Sequence, residues 1–181
     1  MGTVTGGYPS YPSDLTAHDG KLYFYAEQNG GSISSDEELY RYDVSDDSIE
    51  LPQFEEVNSG ATGSLPDGLI VYDGKLYFEA NSGDGEGREL HRYDPGDANN
   101  DGSVFERVTS IRSGGDAQIG NLVVYAGDLY FTADDGVHDY IYRYDDSALT
   151  KLENIVDGTT PYYPGGLEVY DNQLYFGADD G

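Results

Sequence analysis

The chain contains no cysteine and no tryptophan, a single methionine, and only nine Lys and Arg among 181 residues. Without cysteine there is no disulfide, no thiolate metal site and no cysteine nucleophile, although the compartment stays open. The scarcity of cations leaves nothing from which to build a basic patch. Against nine cations stand 35 Asp and Glu, for a formal net charge of -26, and such a surface repels phosphate backbones and anionic headgroups. Nucleic acid and membrane are therefore disfavoured as partners. No apolar run approaches the roughly 20 residues needed to cross a bilayer, and Met1 to Asp14 lacks the basic and apolar regions of a secretory leader. The expectation is a soluble segment.

What is present is enough for a core: 37% hydrophobic residues, 18 Tyr and 6 Phe, together with 25 Gly, argue against disorder despite the charge. Leu-Tyr-Phe-x-Ala occurs four times, beginning at residues 22, 76, 129 and 174, so the starts are 54, 53 and 45 residues apart. Ahead of each copy lies a short apolar segment and a two-residue turn: Asp19-Gly20, Asp73-Gly74, Ala126-Gly127 and Asp171-Asn172. Such pairs tolerate the positive φ that a tight hairpin turn requires. A third segment follows three of the copies, Leu39 to Asp43, Leu90 to Asp94 and Ile141 to Asp145, each with an Arg between aromatic residues. A weaker fourth segment falls at Phe54 to Val57, Val104 to Val108 and Leu149 to Leu152.

Four short strands per unit, apolar on both alternating faces, predict an all-β, β-propeller-like array of four-stranded antiparallel blades, three complete and one partial. A β-sandwich is also built from short strands, but it does not call for the same four-strand unit each time. The units run from 14 to 66, 67 to 120 and 121 to 165, with a partial one from 166 to 181. Residues 1 to 13 lead in from a preceding or closing blade. An array with open ends leaves blade edges free for self-association.

Leu129-Tyr-Phe-Thr-Ala-Asp-Asp-Gly-Val-His138, followed by Ile141-Tyr-Arg-Tyr-Asp145, resembles the repeat of bacterial surface and secreted proteins written LYFxADDGxxGxELWxxDGT, and Leu174 to Gly181 matches its first half. Tyr or His stands where that family has Trp. The resemblance implies a noncatalytic binding or structural scaffold, extracellular or on the cell surface, that meets an extracellular protein or a glycan. The alternatives are a carbohydrate-binding lectin-like propeller and a fragment of a polysaccharide-active propeller enzyme.

One loop has the spacing of a cation site. Asp97, Asn99, Asp101 and Gly102 follow D-x-N-x-D-G, with Ser103 and Glu106 beyond, so that alternate oxygen-bearing side chains converge as in a calcium loop. Calcium is the cofactor this predicts. The competing reading is an acidic turn, and the acidity as a whole reads either as a saline-adapted surface or as cation loading. Tyr162 and Tyr163, set between Pro161 and Pro164, and Tyr8 and Tyr11 near the N-terminus are loop aromatics suited to stack on sugar rings. Arg41, Arg92 and Arg143 recur at one position and predict bridges between units, to a carboxylate or a Tyr face. His18 and His91 occupy aromatic positions of the repeat. There is no G-x-S-x-G, phosphate-cradling loop or H-E-x-x-H, and the chain is expected not to be an enzyme.

Overall fold

Both residues of each predicted turn take the left-handed backbone: Asp19 and Gly20 (φ 46° and 72°), Asp73 and Gly74 (46° and 74°), Ala126 and Gly127 (53° and 91°), Asp171 and Asn172 (48° and 57°). Two consecutive positive φ values match the twist of the flanking strands, so each pair closes a tight antiparallel hairpin. The computed structural model describes residues 11–27, 37–43, 45, 48–50, 63–94, 105–153 and 162–179. Within them lie fourteen strands and no helix.

The first sheet comprises β1 (Ser13–His18), β2 (Lys21–Glu27), β3 (Glu37–Asp43) and β4 (Ser48–Glu50). The second comprises β5 (Asp67–Tyr72), β6 (Lys75–Asn81), β7 (Arg88–Tyr93) and β8 (Phe105–Arg107); the third, β9 (Gly120–Tyr125), β10 (Asp128–Asp134), β11 (Asp139–Tyr144) and β12 (Leu149–Leu152). A two-stranded sheet of β13 (Tyr162–Tyr170) and β14 (Gln173–Asp179) ends the described chain. Each sheet is an antiparallel meander in chain order. The fourth segment expected at Phe54 to Val57 lies outside the described residues, and the first sheet takes its last strand from Ser48–Glu50.

The propeller expectation is corrected here. All four sheets are open; none closes or curls into a blade, and the packing between sheets runs from each to the next in chain order. A strand apolar on both faces needs cover on both faces, and a ring is only one way to provide it. Open sheets laid against one another satisfy the same alternation, which is why the pattern suggested blades and the chain does not form them.

The packing is directional. On β6, Leu76, Phe78 and Ala80 face the first sheet, where they meet Tyr23 and Leu39; Tyr77 on the opposite face joins Leu129, Phe131 and Ala133 of β10. Each contact therefore sets the Tyr face of one sheet on the Leu-Phe-Ala face of the next. Aromatic pairs fill the seams, with Tyr23 and Tyr93 centroids 5.7 Å apart and Tyr77 and Tyr144 6.0 Å apart.

A second regularity holds the first strands together. Each has a register shift beside a left-handed residue: Asp14, Gly68, Asn121 and Gly166. The bulge exposes backbone and re-aims a side chain toward the following sheet. The Asp14 carboxylate accepts from the Leu69 amide, and Asn121 Oδ1 accepts from the Gly166 amide at 2.9 Å. At Gly68 there is no side chain to do this, and a Cβ there would lie 2.9 Å from Leu122 Cδ1.

Buried carboxylates tie down the connecting segments. Glu38 accepts from the Ser64 amide and hydroxyl, and at the same position of the second sheet Glu89 accepts from the Thr109 hydroxyl at 2.7 Å and the Arg112 amide at 2.8 Å. Glu79 takes the Ile119 amide at 2.9 Å and Arg88 at 2.8 Å. Burial, partly offset by Arg88, raises its pKa above the ordinary range for Glu. Each carboxylate satisfies backbone N–H groups that would otherwise be buried without a partner.

The connection from β8 to β9 presses on the β6–β7 loop at Gly87, where a Cβ would sit 2.3 Å from the Gly115 carbonyl oxygen. Gly87→Ala is expected to destabilise the chain by about 2 kcal/mol or more. Gly85→Ala serves as its control, because Gly85 also has positive φ (89°) but open space around it. Urea denaturation of the two variants separates steric conflict from backbone strain: similar midpoints would mean that the Gly87 contact carries no weight.

Candidate interaction surface

The seam between the second and third sheets is organised by Asp146, which has φ 67° in the turn between β11 and β12. Left-handed backbone at this turn directs the carboxylate back across the seam. Lys75 Nζ donates to it at 2.7 Å, Tyr77 Oη at 2.6 Å and Arg92 Nη1 at 3.1 Å, while Arg92 Nη2 also pairs with Glu106 at 2.6 Å. Partial burial pushes the Asp146 carboxyl upward, but the bonds from Lys75 and Tyr77 and the charges of Lys75 and Arg92 outweigh it and hold the pKa below the ordinary carboxylate range. Burial, reinforced by Asp146, raises that of Tyr77.

The recurring arginines divide into two behaviours. The Tyr23 ring packs on Tyr93 across the first seam with the charge of Arg41 acting on both hydroxyls, and Arg92 crosses the second seam to Asp146. Both bridge consecutive sheets. Arg143 instead turns to Asp128 of its own sheet at 2.6 Å, and its side chain is 38% exposed against 24% for Arg92. The other cations are also engaged: Lys21 with Asp43, Arg107 with Asp84, Arg112 with Asp134, and Lys151 with Asp135 and Glu153. The scarce positive charge is thus used in internal bridges, and the outer surface is left acidic.

The end of the stack differs from its interior. Tyr23 and Tyr77, on the second residue of Leu-Tyr-Phe-x-Ala, are 0% exposed, whereas Tyr175 at the same position of β14 is 49% exposed. Tyr170 beside it is also exposed, the two rings lying 6.4 Å apart. Within the described residues β14 pairs with β13 alone, while β2, β6 and β10 each have strands on both sides. The result is an outward aromatic face next to a free strand edge.

The predicted site residues fare unevenly. Asp97, Asn99, Asp101, Ser103 and Tyr8 lie outside the described residues. Glu106, offered as a calcium ligand, is exposed on β8 and paired with Arg92. Among the described residues no three His, Asp or Glu side chains are assembled as a metal centre. Tyr162 lies in β13. Tyr11 and Tyr163 are exposed, yet both occupy a left-handed position three residues before the bulge (φ 40° and 49°), which Leu65 and Gln118 fill in the other sheets (49° each). Their backbone strain therefore belongs to the strand entry rather than to a binding site. His18 donates to the Gly74 carbonyl at 3.0 Å, and His91 is buried on Phe78.

Asp146 and Tyr175 escaped the sequence reading. Nothing in the pattern distinguishes Asp146 from the other loop acids, and Tyr175 has the same local sequence as the buried tyrosines. No protein-family model matches the chain, and no curated protein matches it. The resemblance to the bacterial surface repeat is not upheld, because the sheets are open and form no blades. With it falls the propeller scaffold, and so do the lectin-like propeller and the propeller-enzyme fragment, since all presuppose blades that are not formed.

The Asp146 cluster makes stability depend on pH in a defined direction. A carboxylate whose pKa is lower folded than unfolded stabilises the fold above the unfolded value of about 3.9, and that stability is lost as pH falls through the folded value. Asp146→Asn is expected to cost about 1–3 kcal/mol at pH 7. Melting curves should show the gap from the wild-type chain constant down to about pH 5 and closing below about pH 4; a gap that persists into stronger acid would remove Asp146 from the role assigned to it.

Proposed function

We propose that the chain is a noncatalytic protein-interaction module, a stack of open β-sheets that takes its partner on the exposed aromatic face of Tyr170 and Tyr175. The observation that carries this reading is the contrast between buried Tyr23 and Tyr77 and exposed Tyr175 at one position of a shared motif. The ring that is buried on β2 and β6 is exposed on β14, and exposed aromatic rings are favoured anchors in protein contacts. Four carboxylates at the seams and connections support it too: Asp146, Glu38, Glu79 and Glu89 are engaged in holding seams and backbone amides in place. The acidic surface favours a neutral or basic partner. A glycan is the second reading, carried by the exposed rings of Tyr11 and Tyr163.

A peptide display library and a glycan array, each probed with the chain and with a Tyr170→Ser, Tyr175→Ser variant, test the choice. Enrichment of peptides that falls at least tenfold in the variant, at an unchanged melting temperature, is the expected result. Peptide enrichment indifferent to the two substitutions, or a signal on glycans alone, would overturn the protein-binding reading.

A further inference from the structure

The second sheet departs from the other two at one buried position. Tyr40 in the first sheet and Tyr142 in the third stack on the Phe of the neighbouring strand, at 5.7 Å and 5.8 Å. In the second sheet the stacked ring is that of His91, 6.4 Å from Phe78 and 1% exposed. His91 Nδ1 donates to the Glu89 carbonyl at 2.9 Å, so in the neutral ring Nε2 carries the lone pair. Among the described residues that nitrogen has no hydrogen-bond partner. A neutral imidazole tolerates this, whereas a protonated one buries an N–H with no acceptor.

The groups around the ring make a second positive charge costly. Directly opposite His91 on β8 is Arg107, and opposed residues of antiparallel strands project to one face. Arg107 Nη1 is also buried without a partner, while its Nε pairs with Asp84 of the β6–β7 loop at 3.2 Å. On β6 the residue opposite His91 is Phe78, which carries no charge. On β7 itself the Glu89 carboxylate is committed to the Thr109 hydroxyl and the Arg112 amide. From the first sheet, Arg41 and Tyr23 act on Tyr93, the next residue along this face of β7. Burial is the main cause that lowers the His91 pKa, with Arg107 acting the same way and the Glu89 carbonyl and Asp84 opposing.

The third sheet repeats the arrangement without the proton site. Tyr142 is opposite Lys151, which pairs with Asp135 at 3.4 Å as Arg107 does with Asp84. Burial pushes the Tyr142 hydroxyl up to about 12, so it keeps its proton through the neutral and acidic range. β8 has only three residues and is the last strand of its sheet. Its Phe105 packs on Tyr93 and Phe78, with centroids 5.3 Å and 6.1 Å away.

We infer that His91 is a proton-operated latch on β8: in mild acid the protonated ring faces Arg107 as a second buried cation, and the short strand detaches, taking Phe105 off Tyr93 and Phe78. The latch goes beyond the protein-interaction reading and is independent of it. Its direction follows from linkage. The imidazole pKa is lowered while β8 is closed and returns to about 6.5 once water reaches the ring. Closure is therefore fully stable above about pH 6.5 and is lost as pH falls through the closed-state value.

Amide hydrogen exchange of the full chain at about pH 7.5 and about pH 5, expressed as protection factors, reads the latch. Protection at residues 105–108 should fall about fivefold or more in acid relative to residues 149–152, within the ceiling of about tenfold per pH unit that uptake of one proton sets. In His91→Tyr, which carries the residue of the other two sheets, the fall should vanish. His91→Gln, smaller and also uncharged, should lose it too and covers a failure of the Tyr variant to fold. Arg107→Gln should shrink the fall severalfold, because protonated His91 then faces Asp84 without a competing cation. Unchanged protection of residues 105–108 in the wild-type chain overturns the inference, as does an equal fall in the wild type and in His91→Gln. A fall shared evenly by residues 105–108 and 149–152 would be a general acid loosening and overturn it as well. So would an NMR titration of the His91 ring with its midpoint at or above about 6.5.

Discussion

The rest of this structure depends on the alternation within one strand type. In Leu-Tyr-Phe-x-Ala, Leu, Phe and Ala project to one side and Tyr to the other, so the strand has no face that prefers water. A hairpin of such strands standing alone would expose aromatic surface on both sides. Stacking the Tyr side of one sheet on the Leu-Phe-Ala side of the next removes that exposure and gives the stack a direction. The strand bulges, the buried carboxylates and the arginine bridges act on an arrangement that this alternation already requires.

Polar groups then determine how the sheets sit on one another. Apolar faces alone would allow sliding, whereas an Asp or Asn leaving a bulge to bond an amide of the next sheet sets position along the strand. Asp146 does the same at the far side of the second seam, gathering Lys75, Tyr77 and Arg92 on one carboxylate. In a chain with 35 acids and nine cations, each cation placed across a seam also relieves repulsion between neighbouring acidic sheets. Drawing the positive charge inward leaves an acidic exterior.

Much of the local structure was legible because it is controlled by local chemistry. Asp19-Gly20 and Asp171-Asn172 mark turns wherever they occur, since few residue pairs accept two positive φ values, and the two-residue period of the Leu-Tyr-Phe segments specifies strands. The all-β character follows from these. The bulge residues Asp14 and Asn121 were less visible: each is one more polar residue at a strand start, and its role depends on an amide some 45 to 55 positions away. Glu106 shows the converse dependence: its spacing after Asp101 suggested a cation ligand, and strand pairing with β7 sets it opposite Arg92, with which it pairs.

By itself the sequence determined the strands, their hairpin turns, the double-faced apolar pattern and the acidic exterior, all of which follow from neighbouring residues and composition. Whether those faces would be covered by a ring of blades or by open sheets in succession was decided only by the tertiary structure, because alternation dictates that a face be covered and is silent about the angle at which the cover arrives. The same holds for the tyrosines. Tyr23, Tyr77 and Tyr175 stand in one motif, and only the packing among the described sheets makes the first two buried and the third exposed.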